Sequence, residues 1–162
     1  VILRARTAGV EETRALAGAL SSLAAPGDLV LLAGELGAGK TAFAQGFGAG
    51  LGIDDQITSP TFTLARHYLG RLALHHVDVY RLERFSEIQD VGIFELLDSG
   101  GVLLIEWGDA IAPALPSDYL EVRLTYGEGD DDRELELRCV GSAWSARSRS
   151  LGETIAPWEV TG

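Results

Sequence analysis

The chain has 162 residues, 46% hydrophobic and 23% charged, the proportions of a globular protein with one sizeable core. No apolar run approaches the roughly 20 residues that cross a bilayer, and charges interrupt Val1–Leu20, so neither a membrane span nor a signal peptide is expected. A formal net charge of −11 opposes unaided binding to a phosphate backbone, and a single cysteine, Cys139, precludes an internal disulfide and suits a cytoplasmic setting.

In chain order, Val1–Arg6 alternates apolar and basic residues and predicts a strand. Thr7 is placed to cap a helix whose apolar positions recur at helical spacing over Val10–Leu23, with Glu11 and Glu12 near its positive end. Pro26-Gly27-Asp28 stops it. Leu29–Ala33 is a short apolar strand, and Gly34-Glu35-Leu36-Gly37-Ala38-Gly39-Lys40-Thr41 then satisfies G-x-x-x-x-G-K-[ST] at every fixed position. Gly37 and Gly39 let the main chain approach a polyphosphate without a Cβ clash, the following helix points its positive end there, and Lys40 adds a point charge. The Thr41 hydroxyl is placed to coordinate magnesium. The predicted helix runs from Lys40 to Ala49. Gly46 and Gly48 each weaken it by roughly 1 kcal/mol relative to alanine, which close packing on the sheet or a ligand would explain.

Ile57–Leu64 passes from a polar loop into a strand and carries the hydroxyls of Thr58, Ser59, Thr61 and Thr63. They are either ordinary turn residues followed by β-favouring threonines or the segment, often found here in phosphate-loop enzymes, that senses the terminal phosphate and magnesium. Phe62–Tyr68 and Arg71–Val79 predict a hairpin around Leu69-Gly70. Ser86–Leu97 is helical in character, interrupted near Gly92. Val102–Ile105 is wholly apolar, as in a strand buried on both faces, and ends in Glu106-Trp107. Tyr119–Tyr126 and Arg133–Val140 alternate with period two across an acidic loop, a second hairpin with one buried and one wet face. Cys139 falls in that pattern as a buried structural thiol. Ser142–Leu151 predicts a short helix. The expected organisation is one phosphate-loop ATPase domain over 1–151, with 152–162 as a loose tail. The fold class is α/β: a three-layer nucleotide-triphosphatase-like arrangement whose mixed central sheet includes antiparallel hairpins.

Two predicted strands end in acids, and ligands of open α/β sheets sit beyond the carboxyl ends of the strands. Glu106 has the form of a Walker B acid that ligates magnesium directly or through water. Asp78 either ligates the metal, orients the attacking water, or pairs with Arg81 or His76. His76 is given no chemical role, and Trp107 packs beside the nucleotide or under a helix. Guanine-specific switches read their base with Asn-Lys-x-Asp, which needs a second lysine; Lys40 is the only one, so ATP is the expected nucleotide.

Gly-x-Leu-Gly-Ala-Gly-Lys-Thr (34–41), Ser-Pro-Thr-Phe-Thr (59–63), His-x-Asp-x-Tyr-Arg (76–81) and Ile-Glu-Trp (105–107) occur in an order and spacing that resemble the TsaE family of small bacterial ATPases, over about Thr13 to Val140. The resemblance implies a weak magnesium-dependent ATPase that supports turnover of the TsaD–TsaB transferase complex in making threonylcarbamoyladenosine in tRNA. The tRNA would be met through that complex. It also implies that Leu36–Thr41 hold ATP, that Thr41 and Glu106 hold magnesium, that Lys40, Asp78 and Glu106 are needed for catalysis, and that Thr61 and Trp107 adjoin the nucleotide. Glu35 stands where many relatives have Asp, and Ala42 where many have a second hydroxyl. Two other readings are a nucleotide-gated interaction module and, more remotely, a small-molecule kinase; the arginines after Glu106 are too scattered for a kinase lid.

Overall fold

A computed structural model describes residues 1–35, 37–58, 65–79, 92–107 and 112–160. Strands β1 (Ile2–Thr7), β2 (Leu29–Gly34), β3 (Ala65–Leu69), β4 (Ala73–Asp78), β5 (Val102–Glu106), β6 (Tyr119–Tyr126) and β7 (Arg133–Val140) join one sheet in the order β1-β7-β6-β2-β5-β4-β3. The centre, β6-β2-β5-β4, is parallel; the β3–β4 and β6–β7 hairpins and the β1–β7 pair are antiparallel. Both predicted hairpins are present: β6 and β7 have the bounds their period-two pattern predicted, whereas β3 and β4 are observed as Ala65–Leu69 and Ala73–Asp78, with the turn after Leu69 rather than around Leu69-Gly70, and the mixed α/β class holds. Among the described residues no helix is long and apolar enough to cross a membrane.

Helices α1 (Val10–Ser21), α2 (Lys40–Gly50), α4 (Ser142–Ala146) and α5 (Ser148–Ile155) contribute Leu16, Leu20, Phe43, Phe47, Trp144 and Leu151 to one core with Val30, Leu32 and Leu104. Helix α3 (Ile93–Asp98) packs on the opposite face with Leu29, Leu31, Leu103 and Ile105. Each such side chain stabilises the fold by about 1.5–3 kcal/mol on full burial. The glycines inside α2 do have packing reasons: Gly48 lies against Ile57 and Leu74 of β4, but Gly46 lies against helix α1 rather than the sheet. A Cβ on Gly46 would lie 2.2 Å from the Arg14 carbonyl oxygen, so α1 and α2 meet main chain to main chain.

Four expectations change. Thr7 does not cap α1: it lies in β1, and its buried hydroxyl hydrogen-bonds that of Thr13 at 2.7 Å. The helix start is instead held by Glu12, whose carboxylate accepts from the Ala8 N–H. The outward face of β6 is not uniformly wet. Glu121 is buried there beneath the side chains of Arg123 and Arg138, which donate to it at 3.0 and 2.5 Å. The helix predicted at Ser142–Leu151 is two, separated at Arg147. Its guanidinium leaves helical register to hold both oxygens of buried Asp28 at 2.6 and 2.8 Å and to stack on Trp144. Residues 152–160 do not form a loose tail: Ile155 is fully buried, and Val160 N–H donates to the Arg4 carbonyl at 3.0 Å, where Glu159 bridges Ala5 on edge strand β1.

Candidate active site

The site forms where β2, β4 and β5 reach their carboxyl ends. Strand β2 runs into Gly34, and the loop turns through Gly37 (φ 82°) and Gly39 (φ 109°), left-handed conformations that disfavour any other side chain. Ala38 N–H closes this turn on the Glu35 carbonyl at 3.0 Å. Lys40 then opens α2, with Thr41 half-buried beside it in the first turn.

Lys40 is 5% exposed, and its ammonium is held by its own loop. Nζ donates to the carbonyls of Gly34 and Glu35 at 2.8 and 2.9 Å and lies 3.8 Å from the centre of the Trp107 ring. That ring is placed by backbone geometry. Trp107 has φ 65°, the one positive value at a non-glycine among the described residues, and its N–H donates to the Leu32 carbonyl at 2.7 Å. A non-glycine in this region is strained, and such residues gather at functional sites.

The two acids sit side by side. Asp78 pairs with Glu106 in the parallel register of β4 and β5, and Glu106 pairs with Leu32 of β2 on its other side. Both carboxylates face the side of the sheet on which α2 packs, because Leu74, His76 and Asp78 alternate onto that face with Val102, Leu104 and Glu106. Glu106 is 3% exposed, and its Oε2 lies 2.7 Å from Nε2 of fully buried His76. The predicted Lys40, Asp78, Glu106 and Trp107 therefore converge, with Gly37, Ala38, Gly39 and Thr41 in the loop and helix start. Leu36, Thr61 and the rest of Ser59–Thr63 lie outside the described residues, as does Arg81.

Sequence reasoning missed two members. His76 was set aside, although its spacing of two from Asp78 places both on one strand face. Tyr126, at the end of β6, reaches back so that its hydroxyl lies 2.9 Å from where a Cβ on Gly37 would stand. That contact joins residues far apart in sequence, and no local pattern announces it.

The residues fit a nucleoside triphosphate and a hard cation. A glycine cradle, a buried ammonium and the amino end of an 11-residue helix suit phosphate. Thr41, Asp78 and Glu106 supply oxygen donors. Among the described residues no group of three or more His, Cys, Asp or Glu is arranged to hold a metal. Magnesium does not need such a cage, since it is usually bound through one or two carboxylates plus substrate phosphates.

The family model "Threonylcarbamoyl adenosine biosynthesis protein TsaE" matches residues 7–135. The chain belongs to the TsaE family. It is 43% identical to the Bacillus subtilis protein named tRNA threonylcarbamoyladenosine biosynthesis protein TsaE, over 92% of this chain and 93% of that one. It is 40% identical to the Treponema pallidum protein of the same name, over 83% and 99%. Among solved structures it is similar to a crystal structure of Bacillus subtilis YdiB, with a TM-score of 0.79 and 38% identity over 94% of this chain and 95% of that one. TsaE membership agrees with the four ordered motifs and with the phosphate-loop architecture around Lys40.

Proposed function

We propose that this chain is the ATP-hydrolysing component of the machinery that makes N6-threonylcarbamoyladenosine in tRNA, acting in the cytoplasm on a TsaD–TsaB transferase complex. The observation that carries the chemistry is the pairing of Asp78 with Glu106 at the ends of neighbouring parallel strands, beside the loop that holds Lys40. The family and its named relatives support the pathway.

In this reading the loop amides from Gly37 to Thr41 cradle the phosphates, and the Lys40 ammonium exchanges the carbonyls of Gly34 and Glu35 for phosphate oxygens. Thr41 and Glu106 hold magnesium, which when bound neutralises charge on the phosphoryl group being transferred. Asp78, next to Glu106, orients the attacking water. Trp107 walls the site on the side of the Lys40 ammonium. With a net charge of −11, contact with tRNA is made through the partners rather than by this chain alone.

The test is a pull-down of TsaD and TsaB with ATP, ADP or no nucleotide, joined to phosphate-release assays with and without those partners. Nucleotide-dependent capture and stimulated hydrolysis are expected. A wild-type protein that binds no ATP refutes the reading; one that hydrolyses ATP but never meets the partners refutes its pathway half.

A further inference from the structure

We propose that His76 is a positioning residue that fixes the Glu106 carboxylate for metal, an inference that rests on the ATPase reading above. Strand β4 places His76 one step before Asp78 on the same face, opposite Leu104 and diagonal to Glu106 in the β4–β5 register. His76 Nε2 and Glu106 Oε2 are 2.7 Å apart, with side-chain exposures of 0% and 4%. The floor beneath them is apolar, formed by buried Leu74, Val102 and Leu104.

The other ring nitrogen makes the case. His76 Nδ1 is buried and has no hydrogen-bond partner. A buried polar atom without a partner destabilises the fold, and an apolar side chain would suit the surroundings better. Packing alone therefore does not account for histidine here; its Nε2 contact does. With the proton on Nε2, the ring donates to the carboxylate and leaves only a bare acceptor at Nδ1, whereas the opposite tautomer would bury an unsatisfied N–H. The donated hydrogen bond occupies Oε2 and restrains rotation of the carboxylate, so Glu106 meets the cation in one orientation. Partners that orient carboxylate ligands in this way typically change metal affinity or activity by 10–100-fold.

The test separates magnesium coupling from nucleotide affinity. Calorimetry would measure binding of a non-hydrolysable ATP analogue in EDTA and in magnesium, alongside hydrolysis at varied magnesium. For His76→Leu, metal-free affinity is expected to stay within about threefold of wild type, while the tightening by magnesium and kcat fall about 10–100-fold. His76→Gln, whose amide nitrogen lies near the Nε2 position, should restore most of the loss. His76→Asn, whose amide stops near the Nδ1 position, should not. The Gln–Asn contrast also decides the matter if His76→Leu fails to fold. Equal behaviour of folded Gln and Asn variants, or normal magnesium coupling in folded His76→Leu, overturns the inference. Glu106→Gln is the control. If it loses coupling while the His76 variants keep it, only the role of His76 falls. If it behaves as wild type, Glu106 is not the metal ligand and the site assignment falls; the ATPase reading itself falls only if the wild-type protein binds no ATP.

Discussion

Strand β2 carries a buried glutamate on each side, and the two have opposite surroundings. Glu121 of β6 pairs with Leu31 in mid-strand, and the guanidiniums of Arg123 and Arg138 close over it. Its hydrogen bond and charge hold the Arg138 guanidinium above its ordinary pKa. Glu106 of β5 pairs with Leu32 at a strand end, where Asp78, His76 and the phosphate loop meet. The first carboxylate is neutralised by arginines that the hairpin itself supplies. The second lies beside another carboxylate, a placement that favours a bound cation. Burial alone does not single out the proposed catalytic acid in this sheet; strand position and the sign of the neighbouring charges do.

The comparison can be broken in descending steps. Lys40→Ala should raise the ATP dissociation constant by roughly 100-fold, read by calorimetry, because a charge-assisted contact to phosphate is removed. Glu106→Gln and Asp78→Asn should each lower kcat by roughly 100-fold in phosphate-release assays. Nucleotide affinity measured without magnesium should change by less than about threefold in both. Glu121→Ala should do the reverse. It lowers unfolding stability by about 1–3 kcal/mol in denaturant titrations, since hydrogen bonds from Arg123 and Arg138 are lost, and leaves hydrolysis per folded molecule unchanged.

The smallest effect lies on the other face of β4. Burial, and then the neighbouring His67 ring, holds His75 below its ordinary pKa of 6.5. The unfolded chain therefore binds more protons near that pH. The contribution of His75 to stability is complete above about pH 6.5 and is lost as the pH falls toward the lower folded value. Denaturant midpoints should drop between pH 7.5 and 5.5, and His67→Phe should reduce that drop.

Much of the site was legible because its chemistry is local in sequence. The phosphate loop occupies eight consecutive residues, Glu106 follows a wholly apolar run, and Asp78 lies in the second strand of a predicted hairpin. The glycines of α2 were legible too, as a helix weakness that demanded a packing cause. What could not be read depends on contacts between distant segments. Thr7 has the chemistry of a helix cap, yet β1 extends through it and Thr13 takes its hydroxyl. Glu121 follows an alternation that marks exposure, but Arg138 of the neighbouring strand β7 and Arg123 close over it. Arg147 lies within a helical pattern and is drawn out of it by an aspartate 119 positions away. The 152–160 stretch has no periodicity to reveal that it closes the β1 edge.

The approach of α1 to α2 has a mechanical consequence. At Gly46 and Arg14 the two backbones touch with no side chain between them to flex. Helix α2 starts at the lysine of the loop, so everything from Lys40 onward is anchored against α1 as one stiff body. Any shift of α2 would therefore have to carry α1 with it. The amino end of α2 is thereby a fixed backstop behind the glycine turn.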